Sequence, residues 1–249
     1  MLPPEDTIFS KCLIMNQKGG AHDICFKTIS NNILFKDFEK ELLQEIASSF
    51  TEEKWPAHTC SSCHNLKHKF HIIISGRLKM FKTDRETGRE FTMFLLSKSD
   101  FFDVISLIED CNHKIYYESL EEVRMLSTPT ITMRQWFKKY SVLNQRLLPY
   151  IGKQLLSLEE YAVNHTLLEI PARLASLILK NLNPESKKLE FINDLSNEEI
   201  ANLIGSTRAV VNRHLQEFKN EGILKIGRKK VEVLNLPLLV EKATNNQKK

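Results

Sequence analysis

Residues 195–235 read LSNEEIANLIGSTRAVVNRHLQEFKNEGILKIGRKKVEVLN, and this stretch begins with the signals of a short, well-capped helix. Ser196 with Glu199 three residues later forms a capping box, in which each side chain accepts a hydrogen bond from the other residue's backbone N–H. The helix is expected from about residue 197 to residue 204. Gly205 ends it, because the residue after a helix commonly takes a positive φ, which glycine adopts without a Cβ penalty.

A second helix is expected directly after this turn, capped by Ser206 or Thr207 and ending near Asn220. Its inner face is apolar and its outer face carries small, amide and basic side chains: inside Val210, Val211, Leu215 and Phe218, and outside Arg208, Ala209, Asn212, Arg213 and Gln216. Arginine can bond guanine O6 and N7 as a fork, and asparagine can bond adenine N6 and N7 in the same way. Two helices with such a turn and such an outer face are typical of a helix-turn-helix DNA-binding element.

A basic β-hairpin is predicted after the second helix, with strands at 223–226 and 231–234. The turn between these strands contains Gly227, Arg228, Lys229 and Lys230. A cationic turn beside a recognition helix suits contact with DNA phosphates. The alternative is an ordinary helical hairpin whose arginines are only solvated, but the caps, the turn, the spacing and the hairpin all favour DNA binding.

The segment EEIANLIGSTRAVVNRHLQEFKNEGIL at residues 198–224, followed by this hairpin, resembles the DNA-binding domain of the CRP/FNR superfamily of bacterial transcription regulators. The resemblance implies a dimeric winged-helix protein with an N-terminal β-roll sensor domain, which is not an enzyme. It implies base contacts from Arg208, Ala209, Asn212 and Arg213, with Ser206, Thr207, Gln216 and the hairpin cations as further candidate contacts. Ala209 departs from the family pattern, because many relatives carry glutamate there. Alanine can still touch a thymine methyl, so we expect a different half-site sequence.

The length and composition suit a globular protein of two domains. The chain has 249 residues and a mild net charge of +4, so local basic clusters matter more than the total. It has neither a run of about 18 apolar residues nor a signal peptide, and we expect a cytoplasmic protein without membrane contact. In that reducing compartment its cysteines argue against a disulfide framework; they are Cys12, Cys25, Cys60, Cys63 and Cys111.

The domain organisation is expected to be α+β. Short apolar segments separated by turn signals between residues 50 and 127 predict a small β-barrel or β-roll, similar to a cupin-like jelly roll. Its hairpin with the pattern I-x-x-G-x-x-K also resembles the sensor domain of the family. The predicted limits are 1–33 for an irregular lead-in, 34–139 for the β-roll, 140–168 for a dimerisation helix and 169–249 for the winged helix-turn-helix domain.

The long helix, from about Ser141 to Thr166, carries an apolar pattern with alternating steps of three and four residues. Its members are Leu148, Ile151, Leu155, Leu158, Ala162 and His165. Such a heptad pattern is how two parallel helices bury a stripe against each other. The alternative is a helix that packs on its own sensor domain. We favour a homodimer seam, since DNA half-sites call for twofold symmetry.

The effector segment of the family corresponds to residues 99–120, SDFFDVISLIEDCNHKIYYESL. Cyclic-nucleotide binders of the family use a glutamate and an arginine here. This segment has no arginine, so a buried cyclic phosphate would lack its guanidinium partner. The sequence therefore argues against cAMP or cGMP. The many aliphatic and aromatic residues indicate an apolar pocket, which would suit haem, another hydrophobic ligand or simply core.

A second candidate sensor lies at residues 57–71, where cysteines and histidines cluster. The candidate residues are Cys60, Cys63, His58, His64, His68 and His71. The C-x-x-C-H pattern matches c-type haem attachment, thiolates and imidazoles together can hold zinc or iron, and a close dithiol can form a disulfide. The remaining alternative is a solvated hairpin without such a role. An iron–sulfur cluster that also used Cys12 and Cys25 would not have the family's ligand spacing.

The favoured function is a ligand- or redox-responsive transcription regulator that binds a pseudo-palindromic DNA site as a homodimer, with RNA polymerase as a further expected partner. One alternative is a thiol oxidoreductase that uses Cys60 and Cys63, although no thioredoxin-like βαβ pattern surrounds them. Another is a constitutive DNA-binding protein whose sensor no longer functions.

Overall fold

The computed structural model of the protein describes residues 20–109, 114–227 and 230–244. Within these ranges the chain forms two compact units. One unit contains the described residues up to Lys82 together with Met93–Gly152, and the other contains Thr83–Thr92 and the residues from Lys153 onward. The predicted domain limits do not coincide with these borders and remain predictions. No helix in the described ranges is both long enough and apolar enough to cross a membrane.

The first unit begins with two helices, α1 (Gly20–Asn31) and α2 (Lys40–Ser48). The prediction of an irregular lead-in was wrong for α1, while residues 1–19 lie outside the described residues. Cys25 and Ile29, one helical turn apart, are buried in a core cluster that also includes residues of α2. Tertiary burial, rather than a strong helical pattern, therefore accounts for this helix.

The β-roll consists of two four-stranded sheets with strand orders β1-β8-β3-β6 and β2-β7-β4-β5. Its strands are β1 (Thr51–Trp55), β2 (Cys60–Ser62), β3 (Lys69–Ser75), β4 (Leu78–Thr83), β5 (Glu90–Leu96), β6 (Phe101–Phe102), β7 (Tyr116–Ser119) and β8 (Val123–Pro129). Two short helices, α3 (Cys63–Leu66) and α4 (Val104–Ile108), interrupt them. The prediction of many short strands between residues 50 and 127 is confirmed.

Strand β3 separates the two apolar cores of the first unit. Successive side chains of a strand point to opposite faces of its sheet. Ile73 accordingly packs with Phe102 and Tyr117 in one cluster, and Ile72 packs with Phe101 in another that also holds residues of α1 and α2. A strand buried on both faces explains why the sequence around it reads as a continuous apolar run rather than as an alternation.

The remaining elements follow in chain order, with one long connection at residues 181–196. They are α5 (Thr130–Lys139), α6 (Ser141–Leu167), α7 (Ile170–Lys180), α8 (Asn197–Ile204), α9 (Arg208–Asn220), β9 (Leu224–Gly227), β10 (Lys230–Val233) and α10 (Leu236–Thr244). Strands β9 and β10 form an antiparallel hairpin, the wing, and an isolated bridge joins Lys188 to Glu232 of β10. The fold is α+β, with an N-terminal β-roll, the long helix α6 and a C-terminal winged helix-turn-helix domain, as the sequence predicted.

Candidate DNA interface and sensor site

The turn between α8 and α9 is built by the predicted local signals. The Ser196 backbone N–H donates to Glu199 Oε2 at 2.6 Å, and the Glu199 N–H donates to Ser196 Oγ at 3.2 Å. Gly205 has φ 63° and ends α8 in the left-handed region. Thr207 Oγ1 accepts from the Val210 N–H at 3.4 Å and caps α9. These contacts confirm the capping box and the glycine stop, and they identify Thr207 rather than Ser206 as the second cap.

Helix α9 has one buried face and one exposed face. Val211, Leu215 and Phe218 are buried. The exposed face carries Arg208, Ala209, Asn212, Arg213 and Gln216. The second face is thus a polar and basic surface on a helix that follows a tight turn, which is the geometry of a recognition helix.

Two of these exposed residues already have polar neighbours. The side-chain amide of Asn197 donates to Asn212 Oδ1 at 3.2 Å. Arg213 lies 3.7 Å from Glu217 through an ion pair whose side chains are 64% and 49% exposed. An exposed pair of this kind contributes only about 0.2–1 kcal/mol, so Arg213 can leave it for a base at small cost.

His214 was not among the predicted residues of this surface, and the Ser206 side chain is oriented away from it. His214 is buried, and its Nδ1–H donates to Glu217 Oε2 at 2.6 Å, which fixes the carboxylate beside Arg213. The only sequence signal was the i, i+3 spacing of His214 and Glu217. Ser206 Oγ is buried and has no hydrogen-bond partner among the described residues. Its hydroxyl therefore does not lie on the exposed surface that the sequence assigned to it.

The wing is anchored to the connection between α7 and α8 by Asn193, whose side-chain Oδ1 accepts from the Val231 N–H at 2.9 Å. The register pairs Lys230 with Gly227 and Val233 with Leu224. Arg228 and Lys229, the predicted phosphate contacts of its turn, lie outside the described residues, and for Lys230 the structure describes the backbone alone.

The cysteines and histidines of residues 57–71, the second candidate sensor, do not lie together at one site. Cys60 lies in β2 opposite Glu118 of β7, whereas Cys63 starts α3 and is 2% exposed. His64 and His68 are exposed. His58 is also exposed, and its Nδ1 lies 3.7 Å from Glu118. Strand pairing and burial thus separate the environments of these side chains. Across the part of the chain that the structure describes, no three His, Cys, Asp or Glu residues are grouped to hold a metal.

Cys63 belongs instead to a buried polar cluster inside the β-roll. Its Sγ donates to Asp103 Oδ1 at 3.3 Å, and Ser106 Oγ donates to the same oxygen at 2.7 Å. The Asp103 backbone N–H donates to Tyr117 Oη at 3.1 Å. Burial raises the pKa of Tyr117 well above its ordinary value. The segment that was expected to line an apolar pocket therefore also contributes a buried polar cluster, because Asp103, with φ 61°, brings these groups together.

His71 is another buried polar residue of the β-roll. It is fully buried and stacks on Phe102 with ring centroids 4.5 Å apart and planes 7° apart. Burial lowers its pKa to about 4, so the ring is neutral at physiological pH. Neither ring nitrogen has a hydrogen-bond partner in the described ranges. His71 therefore serves the core of the β-roll rather than a site shared with His64 and His68.

Comparison with known proteins agrees with this architecture. The Crp-like helix-turn-helix domain family matches residues 172–242, which include α8, α9 and the wing. The CRP-like cAMP-activated global transcriptional regulator of Mycobacterium tuberculosis is 24% identical over 215 residues, covering 84% of this chain and 96% of that protein. This chain belongs to the CRP/FNR family of transcription regulators.

Two further similarities extend over most of this chain. The global nitrogen regulator of Synechocystis sp. is 24% identical over 219 residues, covering 85% of this chain and 94% of that protein. A regulator of the family from Eubacterium rectale has the same fold, with a TM-score of 0.69 and 19% identity over 85% of this chain and 98% of that chain. CRP/FNR transcription regulators are not enzymes, which confirms the prediction that this chain is not an enzyme. The thiol oxidoreductase alternative is therefore not supported.

In this CRP/FNR protein the predicted seam of α6 is only partly exposed. Leu148 and Leu155 are 66% and 65% exposed, whereas Ile151 packs against the core cluster of the first unit. Apolar residues outside the predicted pattern are exposed as well, namely Leu156, Val163 and Leu167. His165 is exposed, and its Nε2 lies 3.0 Å from Arg173 Nη1 of its own chain. The dimer seam, with His165 among its members, therefore remains a prediction.

Proposed function

We propose that this regulator binds a pseudo-palindromic DNA site as a homodimer and that the exposed face of α9 reads the bases. The exposed Arg208, Asn212 and Arg213, displayed directly after a capped turn, carry the proposal. Arg208 and Arg213 have the donor geometry for guanine, Asn212 has that for adenine, and Ala209 can touch a thymine methyl. The wing cations would contact phosphates, which hold the protein in register but do not select sequence.

The base-reading assignment is tested on a duplex recovered by in vitro selection with the wild-type protein. Arg213→Ala should weaken binding to that duplex by about 1–3 kcal/mol and relax the preference at one base position. Lys219→Ala is the matched control, since it removes a cation from the exposed surface of the same helix near its last turn. This control should leave the preference among bases unchanged, and any loss of affinity should be equal on selected and random duplexes.

Equal losses on selected and random DNA for Arg213→Ala would contradict a base contact. The selection also tests the homodimer, because two protomers related by a twofold axis would recover two inverted half-sites separated by about one helical turn. A single unrepeated half-site would contradict that part of the proposal.

For the signal we propose an effector at the β-roll that is not a cyclic nucleotide. The M. tuberculosis relative is named as cAMP-activated, so cAMP is the direct rival. Two features of this chain disfavour a bound phosphate. Residues 99–120 contain no arginine, and the buried Asp103 carboxylate stands at the start of α4, where it would repel an anion. Addition of cAMP should therefore leave the affinity for the selected duplex unchanged.

A redox signal at Cys60 and Cys63 is the more specific form of this proposal. A peroxide would oxidise one thiol to a sulfenic acid and release water, and the second thiol would displace a further water to form a disulfide. The Cys63 thiol would then no longer donate to Asp103, and the start of α4 would change its packing. A population shift between two states of the dimer would carry this change to DNA affinity.

Replacing Cys60 and Cys63 together by serine should preserve folding and the affinity measured in reductant, but remove the response to peroxide. Each single serine variant should remove it as well, because a disulfide needs both sulfurs. The measurement is a DNA titration of all four proteins in reductant, in peroxide and after chelation. Identical wild-type affinities in the three conditions would contradict the redox proposal, and a response that only chelation alters would indicate a metal instead.

A further inference from the structure

The end of α6 is tied to the helix-turn-helix element by a pair of side chains. Arg173 of α7 uses a single atom, Nη1, to bond the carbonyl oxygen of Ile204 at 2.8 Å and His165 Nε2 at 3.0 Å. Ile204 is the last residue of α8, so Arg173 satisfies one of the carbonyls that a helix end leaves without an internal partner. The same guanidinium therefore holds both the end of α6 and the end of α8.

Gly205 shows how closely His165 approaches the turn. A Cβ atom at Gly205 would lie 1.8 Å from His165 Nε2 and 2.5 Å from its Cε1. The imidazole thus lies directly against the turn that leads into α9. Tyr161, one turn earlier on α6, packs on the His165 ring with centroids 5.0 Å apart, and Tyr161 itself packs on Phe91 at 4.6 Å.

The hydrogen bond requires a neutral histidine. A guanidinium has donors and no acceptor, so His165 Nε2 must accept and the ring proton must sit on Nδ1. The titratable and charged groups that face the ring are Tyr161 from α6, Arg173 from α7 and Arg89 from the connection between β4 and β5, whereas Gly205 presents backbone only. Burial lowers the pKa of His165, and the two arginines lower it further. The ring remains partly exposed and exchanges protons with solvent.

We propose that His165 and Arg173 are positioning residues that hold the turn before the recognition helix α9, and that protonation of His165 releases this hold. A proton on Nε2 replaces an acceptor by a second donor that faces the guanidinium. The bond to Arg173 is then lost, and two like charges stand at hydrogen-bond distance with Arg89 as a third. Separation of His165 from the turn relieves this repulsion.

The direction of the pH effect follows from linkage. His165 binds a proton less readily in the closed arrangement than in an open one, so the closed arrangement is fully favoured above the ordinary histidine pKa of about 6.5. Its advantage is lost as the pH falls through the lowered pKa of the closed form. Because the closed arrangement sets the turn that precedes α9, we expect DNA affinity to be highest near neutral pH and to decline in acid.

The test uses His165→Gln, whose amide oxygen can accept from Arg173 but does not titrate. The probe is the duplex selected with wild-type protein at about pH 7.5, titrated at about pH 7.5 and pH 5.5 at a protein concentration that gives one oligomeric state at both. Wild type should lose affinity by about three- to tenfold, because pH 5.5 lies about one unit below the ordinary histidine pKa and one unit corresponds to a tenfold change. His165→Gln should match wild type at the higher pH and change less than about twofold.

A second variant keeps the result interpretable. Arg173→Lys preserves the positive charge but replaces the rigid guanidinium fork by a single ammonium on a flexible stem. It should reduce affinity at the higher pH and also flatten the pH profile, while thermal unfolding verifies that the domain is folded. Parallel pH profiles for wild type and His165→Gln, or a wild-type affinity that is equal at both pH values, would overturn the proposal.

Discussion

Replacing Leu155 and Leu158 together by glutamate should convert the protein to monomers. Leu155 is 65% exposed and Leu158 is half-buried, both on the stripe of α6 that we propose as the dimer seam. In a parallel pair of helices each glutamate would face its symmetry mate in an apolar interface. Burying unpaired charge costs several kcal/mol, and each lost leucine removes about 1.5–3 kcal/mol of apolar burial. Analytical ultracentrifugation should therefore show a single species of half the wild-type mass.

Two control variants test whether a loss of the dimer is due to the seam itself. Lys153→Glu places the same charge on an exposed position of α6 outside the seam and should leave the oligomeric state unchanged. Leu156→Glu with Val163→Glu tests the exposed apolar residues that the heptad pattern does not include. If this pair yields monomers while Leu155→Glu with Leu158→Glu stays dimeric, then the interface lies on a neighbouring face of α6 and the predicted seam is wrong.

Gly205→Ala should destabilise the DNA-binding domain and lower its DNA affinity more than the same change at Gly222. Both glycines end a helix with positive φ, 63° and 72°, so alanine pays about 1–2 kcal/mol of backbone strain at either position. At Gly222 nothing lies within 4 Å of the added methyl, whereas at Gly205 the methyl would meet His165 Nε2 at 1.8 Å. The ring must therefore move and give up its bond to Arg173.

Urea unfolding of both variants measures the loss of stability that backbone strain causes at either glycine. Titration of the selected duplex measures whether the contact with His165 also changes the DNA affinity. We expect a similar loss of stability for Gly222→Ala with little change of affinity, and a larger loss of both for Gly205→Ala. Equal effects on affinity would mean that the contact with His165 does not influence the recognition helix. Combining Gly205→Ala with His165→Ala should restore part of the stability, because the smaller side chain removes the clash.

The sequence by itself determined the DNA-binding element. The capping box at Ser196 and Glu199, the left-handed stop at Gly205 and the two faces of α9 were all predicted and all found. These features depend on contacts between residues a few positions apart, and such contacts are specified by local sequence. Strands β3, β4, β5, β7 and β8 were predicted for the same reason, because turn residues and short apolar runs are also local signals. Strands β1 and β2 were not predicted, and the strand expected at 101–105 ends at Phe102 and is followed by helix α4.

Only the tertiary structure decided where isolated polar side chains lie. Cys60 and Cys63 are three residues apart, yet strand pairing with β7 leaves the first half-buried while the second is turned into the β-roll toward Asp103, forty residues later. His165 fits a heptad position but packs against Arg173 and Gly205. Residues far apart in sequence meet through packing of the whole core. An apolar periodicity shows only that one face of a helix or strand is apolar, and it does not show which partner covers that face.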